Sequence, residues 1–391
     1  DTDTDTDASL LHLSVVGCQL GAALRGDDGA AMAASIARVG AAMQAVITRS
    51  GGGGGAVLQS WEAWGNVAMG AGCLEVWSPL LGGLSTLKSL SLRGCGLSAS
   101  TLQALGGVLP SWKGLSSLDL GGNMLPATAV TRLTEALLQV PALDTLRLGG
   151  CSLGKAGFAA LLPLLQHPRL SSLSLELNRL GDDAIRLLST TPTSHSSSLS
   201  HLSLAWNALS AHAMHPLCAW IMMQTQTQTQ TEGEGGGTLI SLDLEGNPLG
   251  PDGVVALFPL ALRQLQCLQL GSIECGSAGA TALAAALAAS AEVQSSTSSP
   301  PTLRTLSLSS NALGDTGMMA LIPFLKHNTS LTSLNLCSNG IGPLGLCALA
   351  EMVQLNVNLQ MVKVTRNNGG TVGENALRSA AIRALHVRLE W

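Results

Sequence analysis

Leucines recur at fixed distances along most of this chain and alternate with polar residues. The stretch LSSLDLGGNML, which begins at Leu115, follows the pattern Leu-x-x-Leu-x-Leu-x-x-Asn/Cys-x-Leu, and similar stretches begin at Leu143, Leu170, Leu199 and Leu239. Alternation with a period of two predicts a short β-strand that buries its leucines on one side. The Asn or Cys that follows predicts a turn whose buried side chain satisfies backbone groups outside the strand ladder.

A helical pattern follows each strand pattern. After Asn123, the stretch ATAVTRLTEALLQV places Val130, Leu133, Leu137 and Leu138 at the spacing of one helix face. Further copies of the strand pattern begin at Leu87, Leu303 and Leu331 and, in degenerate form, at Leu10, Leu58, Leu265 and Leu359, which makes twelve. Eight of the eleven spacings between copies lie between 26 and 29 residues. Since one such unit cannot bury its own leucines, neighbouring units must stack.

Each copy resembles a leucine-rich repeat of the ribonuclease-inhibitor-like subtype. The Asn/Cys position alternates in the first six copies, as is common in that subtype, through Cys18, Asn66, Cys95, Asn123, Cys151 and Asn178. The resemblance implies an α/β fold, a leucine-rich repeat solenoid shaped as a horseshoe. Its parallel β-sheet would line the concave face, and its helices would cover the convex face.

The spacing also predicts how the chain is divided. Residues 1–9 form a low-complexity tail, and residues 10–391 form a single solenoid of about twelve repeats. Low-complexity insertions lie near 50–55, 191–198, 224–237 and 290–301, each after a helical half and before the next strand. We expect the last copy to act as a cap, with Arg378, Arg383 and Arg388 spread along its helix.

Composition narrows the possible functions. Hydrophobic residues make up 46% of the 391 residues and charged residues 12%, which is typical of a folded chain. The formal charge of −5 argues against nucleic acid as a partner, and no apolar run reaches the roughly 18 residues of a membrane span. Nine Cys without a Cys-x-x-Cys pair favour free thiols in a reducing, cytoplasmic compartment. The missing initiator Met suggests that the chain begins inside a longer product.

The stretch GGCSLGKAG, residues 149–157, comes close to a phosphate-binding loop. Ala156, however, stands where such a loop needs Ser or Thr to hold magnesium. The repeats also place LGDDA, LGPDG and LGDTG at the same phase. Gly154 is therefore predicted to serve a tight turn before a helix, and no cofactor is expected.

Other residues with catalytic or metal-binding chemistry lack the partners that they would need. His212 and His215 lie three positions apart on a predicted helix, but no acidic or Cys ligand accompanies them. His195 lies in a Ser-rich loop that would not preorganise a nucleophile. We therefore expect no catalytic residue and no metal site.

The polar positions between the leucines form the surface of interest. Their charges are balanced, and two tryptophans, Trp64 and Trp206, also occupy face positions, whereas Trp61 takes a core leucine position. Exposed tryptophans frequently anchor protein interfaces. The residues predicted to bind a partner are Trp64, Arg93, Asp119, Asp144, Arg147, Glu176, Trp206, Asp243 and Glu245.

Three hypotheses for function follow. The first is a non-enzymatic interaction module or scaffold that binds a protein partner on the concave face. The second, a GTPase-activating protein with a small GTPase as partner, rests on similarity to the repeats of Ran GTPase activators. The third is the ligand-sensing part of a larger receptor, because NOD-like receptors end in similar repeats.

Overall fold

The computed structural model describes residues 11–14, 58–63, 65, 85–190, 198–228, 238–261, 264–294, 303–384 and 386–390. Contacts divide the chain into two units. One comprises Asp1–Asn178 and Ser197–Leu199, and the other comprises Arg179–Ser196 and Ser200–Trp391. The prediction of one continuous solenoid over residues 10–391 therefore stays a prediction.

The described part of the first unit contains six strands and three α-helices. Neighbouring strands pair in parallel and in chain order, with Leu90, Leu118, Leu146 and Leu173 in register. The strands are β1 (Leu11–Ser14), β2 (Leu58–Glu62), β3 (Ser89–Ser91), β4 (Ser117–Asp119), β5 (Thr145–Arg147) and β6 (Ser172–Ser174). The helices are α1 (Ala99–Val108), α2 (Ala127–Leu137) and α3 (Gly154–Leu161), with 3-10 turns at Leu109–Ser111 and Leu162–Gln166.

Within its described residues, the second unit repeats this arrangement with seven strands, again parallel and in chain order. They are β7 (His201–Ser203), β8 (Ser241–Asp243), β9 (Cys267–Gln269), β10 (Thr305–Ser307), β11 (Ser333–Asn335), β12 (Met361–Lys363) and β13 (Arg388–Glu390). Its helices are α4 (Gly181–Arg186), α5 (Met214–Gln228), α6 (Gly250–Ala261), α7 (Gly276–Gln294), α8 (Gly314–His327), α9 (Pro343–Leu355) and α10 (Gly370–Arg383), with 3-10 turns at Leu187–Thr190 and Ala211–Ala213. Parallel strands alternating with helices confirm the predicted leucine-rich repeat solenoid as the fold class.

Strand leucines and helix residues form the core, as the sequence pattern predicts. Leu118 and Leu120 are completely buried, and Val130 and Leu133 of α2 have at most 1% of their surface exposed. The expectation for Leu138 was wrong: it lies just beyond the end of α2 and is 40% exposed.

Buried Asn side chains join successive repeats, which confirms the predicted role of Asn123. Its Oδ1 accepts from the Leu97 N–H at 3.1 Å, and its Nδ2 donates to the carbonyl oxygens of Leu92 and Leu120 at 2.9 and 2.7 Å. Two of these partners lie in the preceding repeat. Asn123 therefore satisfies backbone groups of two repeats. In the repeat between two such Asn residues, a Cys can occupy the equivalent position. Cys151 does so, and its thiol donates to the Leu120 carbonyl at 3.4 Å.

Gly154 serves the turn before a helix, as predicted from the sequence. Its φ is +54°, a conformation that L-residues disfavour, and Gly181, Gly250, Gly276 and Gly314 share it at the same phase. The Gly154 N–H donates to the Asn178 carbonyl at 3.0 Å. Since this donor is used within the fold, the stretch is a repeat turn and not a phosphate cradle.

Some element ends differ from the sequence prediction. Helix α5 runs five residues into the predicted insertion at 224–237, and α7 runs through Gln294 into the one at 290–301. Arg388 was predicted on the last helix, but α10 ends at Arg383 and Arg388 begins β13, which pairs with β12.

In the described ranges, no helix combines the length and apolar character that a bilayer span requires.

His167 is a buried polar residue that the sequence analysis did not single out. Only 2% of its surface is exposed. Its Nε2–H donates to the Val140 carbonyl at 3.1 Å, and its Nδ1 accepts from the Arg169 N–H at 3.3 Å. Since Nδ1 accepts while Nε2 carries the proton, the two contacts together require the neutral ring. Burial lowers the pKa of His167 from its ordinary value of 6.5, although the hydrogen bond to Val140 acts in the opposite direction.

We expect His167 to make folding of the chain sensitive to acid. As pH drops below 6.5, this side chain gains a proton in the unfolded chain before it does in the folded one. The free energy of unfolding must then decrease as pH falls, and its His167 contribution is complete above that pH. Urea unfolding of wild type and His167→Asn at pH 7.5 and 5.5 measures this contribution.

Asparagine is a matched control because Asn356 occupies the same phase and makes both contacts without titrating. Its Nδ2 donates to the Asn328 carbonyl at 3.0 Å, and its Oδ1 accepts from the Asn358 N–H at 2.8 Å. The stability of His167→Asn should change less with pH than that of wild type. Equal changes in both proteins would exclude His167 as the source.

Candidate functional site

The polar positions of the strands form the outer face of the sheet, the side that does not contact the helices. In the first unit, the strand register places Glu62, Ser91, Asp119, Arg147 and Ser174 side by side in one row. The buried residues on either side of each position fix its direction; they are leucines except for Trp61 and Ala63 beside Glu62. The row therefore presents charged and hydroxyl groups on a rigid backbone.

A shallow depression of about 390 Å³ lies on this face of the first unit. Its charged lining residues are Glu62, Arg93, Asp119 and Arg147, two acidic and two basic, and its remaining lining residues are Ser89, Leu90, Ser91 and Ser117. Three of the residues predicted to bind a partner thus lie together here. Glu62, which also lines the depression, was not among the residues predicted to bind a partner.

The two arginines of the depression retain hydrogen-bonding capacity. An Nη1 of Arg147 lies 3.5 Å from the Ser117 Oγ, a long contact, and Arg93 lies beside the Gly121 backbone. Across the part of the chain that the structure describes, neither guanidinium forms a salt bridge. Asp119 accepts the Gly121 N–H at 2.9 Å through one oxygen. These groups can therefore bind charged groups of both signs on a partner.

Glycines determine where the long side chains lie. Gly121 and Gly149 follow β4 and β5 at positions where neighbouring repeats carry charged residues. Arg93 rests against Gly121, and the carboxylate of Glu176 lies over Gly149, where a Cβ would overlap it. The paired glycines in LGGN and LGGC are the sequence signal for this arrangement, which the sequence analysis missed.

Asp144, another of the predicted residues, does not line the depression. Asp144 precedes β5 and is exposed, and its carboxylate accepts from the hydroxyls of Ser171 at 2.6 Å and Thr145 at 3.0 Å. Trp64 lies outside the described residues.

In the second unit, Trp206, Asp243 and Glu245 lie on adjacent repeats. Trp206 belongs to the turn after β7, with φ +57°, and is 49% exposed. Its indole lies over Gly246, where a Cβ would overlap the ring. Asp243 accepts from the Ser203 hydroxyl at 3.0 Å and from the Glu245 N–H at 3.0 Å. Burial, and secondarily the charge of Asp243, raise the pKa of Glu245.

Other reactive side chains are built into the core or lie separately on the surface. All seven cysteines in the described ranges are free, and burial raises the pKa of Cys151, Cys218 and Cys275 to about 11, so they are thiols at neutral pH. Among the residues with assigned positions, no group of three His, Cys, Asp or Glu side chains could hold a metal ion.

Comparison with known proteins identifies the repeat. A family model described as Leucine Rich repeat matches residues 238–258, 299–321 and 327–350. A search of the curated proteins found no match.

Solved structures similar to the chain include a leucine-rich repeat-containing protein, LegL7, from Legionella pneumophila, with 16% identity, a TM-score of 0.46 and coverage of 84% of this chain and 91% of that one. The complex of Rad7 and Elc1 from yeast matches with 18% identity, a TM-score of 0.46 and coverage of 92% and 94%. An internalin from Listeria monocytogenes matches with 14% identity, a TM-score of 0.36 and coverage of 79% and 81%. With the family model and the strand–helix periodicity, the chain is shown to contain leucine-rich repeats.

Proposed function

We propose that this chain is a non-enzymatic interaction module that binds a protein partner on the outer face of its sheet. Leucine-rich repeats generally mediate protein–protein interaction. The observation that supports the proposal most is the depression of the first unit, where Glu62, Arg93, Asp119 and Arg147 converge on a rigid sheet.

The chemistry of the depression favours a protein over other classes of partner. Two carboxylates alternate with two guanidinium groups, so a polyanion such as nucleic acid would meet as much repulsion as attraction. A protein surface that carries both signs of charge can complement all four groups, and such complementarity gives specificity. The neighbouring serines can each donate and accept a hydrogen bond.

Several finer points belong to the same proposal. The repeat length and the Cys/Asn alternation support the ribonuclease-inhibitor-like subtype, and the free, mostly buried thiols support a cytoplasmic location. A small GTPase is one candidate partner. GTPase activation would then be tested by GTP hydrolysis with and without the chain, and an unchanged rate would remove that alternative. The receptor alternative requires a nucleotide-binding module in the same gene product.

The test exchanges charges on the two faces of the repeats. Arg93→Glu with Arg147→Glu alters the depression, whereas Arg132→Glu with Lys326→Glu makes the same change of net charge on exposed positions of α2 and α8. Proteins retained by the tagged chain are identified by mass spectrometry, and the affinity of the purified partner is then measured. We expect the sheet variant to weaken binding about tenfold or more and the helix variant less than about twofold.

Circular dichroism of both variants provides the folding control. If the two variants weaken binding equally, the effect is one of net charge. If neither does, the outer face of the first unit does not bind the partner.

A further inference from the structure

The outer face of the second unit differs from that of the first in its charge. Strands β7, β8 and β9 contain no Lys or Arg, and the acidic residues on this part of the face are Asp243 and Glu245, whereas Arg304 lies directly before β10. The neighbours of Asp243 in its register row, Ser203 and Gln269, are neutral, and His201 is a further titratable group on these strands. The part of the face over β7, β8 and β9 therefore carries a local excess of negative charge.

Trp206 lies on the repeat next to the one that carries Asp243 and Glu245. The backbone N–H of Trp206 donates to the Glu245 carbonyl at 2.7 Å, and this bond fixes the Trp206 turn against the next repeat. The indole ring lies over Gly246, the residue after Glu245. About half of the Trp206 surface remains exposed, at 49%. The ring is thus held in place while part of it stays accessible to a partner.

We propose that Trp206, Asp243 and Glu245 form a docking site for a basic side chain, Arg or Lys, of the protein partner. This inference rests on the proposed function and specifies the chemistry of the segment that binds the second unit.

Charge complementarity supports this choice of occupant. A guanidinium or ammonium group is attracted to the face of an indole, most strongly when partly desolvated. The same group can donate charge-assisted hydrogen bonds to carboxylates. Asp243 and Glu245 repel each other, and Glu245 is partly desolvated, so a bound cation relieves an unfavourable interaction that exists in the free protein. An acidic or purely apolar segment would leave both carboxylates uncompensated.

The experiment uses two short peptides as probes, acetyl-Gly-Arg-Gly-Arg-Gly-amide and its Glu counterpart. The full chain is labelled with ¹⁵N on its indole nitrogens, and the Trp206 signal is the one that disappears in Trp206→Ala. We expect the Arg peptide to shift this signal saturably and the Glu peptide to leave it unchanged.

Asp243→Asn with Glu245→Gln should weaken binding of the Arg peptide about tenfold or more, because two charged partners are lost. Asp144→Asn with Glu176→Gln removes the same charge from the outer face of the first unit and should change the affinity less than about twofold. A Trp206 signal that the Arg peptide does not shift, or equal losses in both double variants, would overturn the site.

The proposed function and this inference can fail independently. If partner binding is lost with Arg93→Glu and Arg147→Glu but the Arg peptide does not bind at Trp206, the module stands and the basic docking site does not. If the Arg peptide binds at Trp206 while charge reversal in the depression leaves partner binding unchanged, the docking site stands and the role of the depression is wrong.

Discussion

Replacement of Asn178 by Ala is expected to lower the free energy of unfolding by about 3 kcal/mol or more, since each buried backbone group left without a partner costs about 1 kcal/mol or more. Asn178 is completely buried. Its Oδ1 accepts from the N–H groups of Cys151 at 2.9 Å and Leu153 at 3.2 Å, and its Nδ2 donates to the carbonyls of Leu148 at 2.8 Å and Leu175 at 2.9 Å. Alanine would leave all four groups without this partner.

Two further variants give this prediction its controls. Asn178→Cys should recover part of the loss, because Cys151 at the equivalent position donates its thiol to a strand carbonyl. Asn368→Ala removes an exposed amide and should change stability by less than about 0.5 kcal/mol. Urea unfolding followed by circular dichroism measures all three. If Asn178→Ala costs no more than Asn368→Ala, the buried amides do not hold the repeats together.

The strands were predictable because burial and spacing demand the same residues. Each of the twelve predicted repeat starts lies at or just before a strand, including the degenerate copies at Leu10 and Leu265. β13 was missed because Arg388–Glu390 contains one leucine and no following Asn or Cys. Its strand conformation comes from pairing with β12, which the local sequence does not report.

Helix ends were less predictable than strands. The polar stretch after Met223 looks like a loop by composition, yet α5 continues to Gln228. Gln and Thr do not terminate a helix as Gly and Pro do, so a helix that is packed at its start can extend into them. The Ala-rich end of α7 also continues into a predicted insertion, because Ala favours the helix.

The composition of the candidate site was predictable, but its assembly was not. Alternation with buried leucines identifies Arg93, Asp119 and Arg147 as face positions. It does not show that Glu62 joins them or that Asp144 stays apart. The positions of the long side chains depend on glycines in neighbouring repeats, such as Gly149 beneath Glu176. This is a relation between residues about 27 positions apart, and a motif within one repeat cannot contain it.

Replacement of Trp112 by Ala is expected to destabilise the chain by about 3–5 kcal/mol, the range for removing a large buried aromatic side chain. Trp112 is completely buried, directly after the 3-10 turn that follows α1. Trp206→Ala, by contrast, should cost less than about 1 kcal/mol, because the residue is 49% exposed and its indole covers one glycine. Chemical unfolding of the two variants makes the comparison.

This contrast decides whether Trp206 can be assigned to binding. A tryptophan that stabilises the fold would reduce partner binding indirectly when it is removed, by unfolding the surface that carries Asp243 and Glu245. If Trp206→Ala unfolds at nearly the wild-type urea concentration and yet weakens partner binding by about 2 kcal/mol or more, the loss belongs to the interface. If it destabilises as much as Trp112→Ala, the indole is a structural cover for Gly246, and the basic docking site loses its anchor.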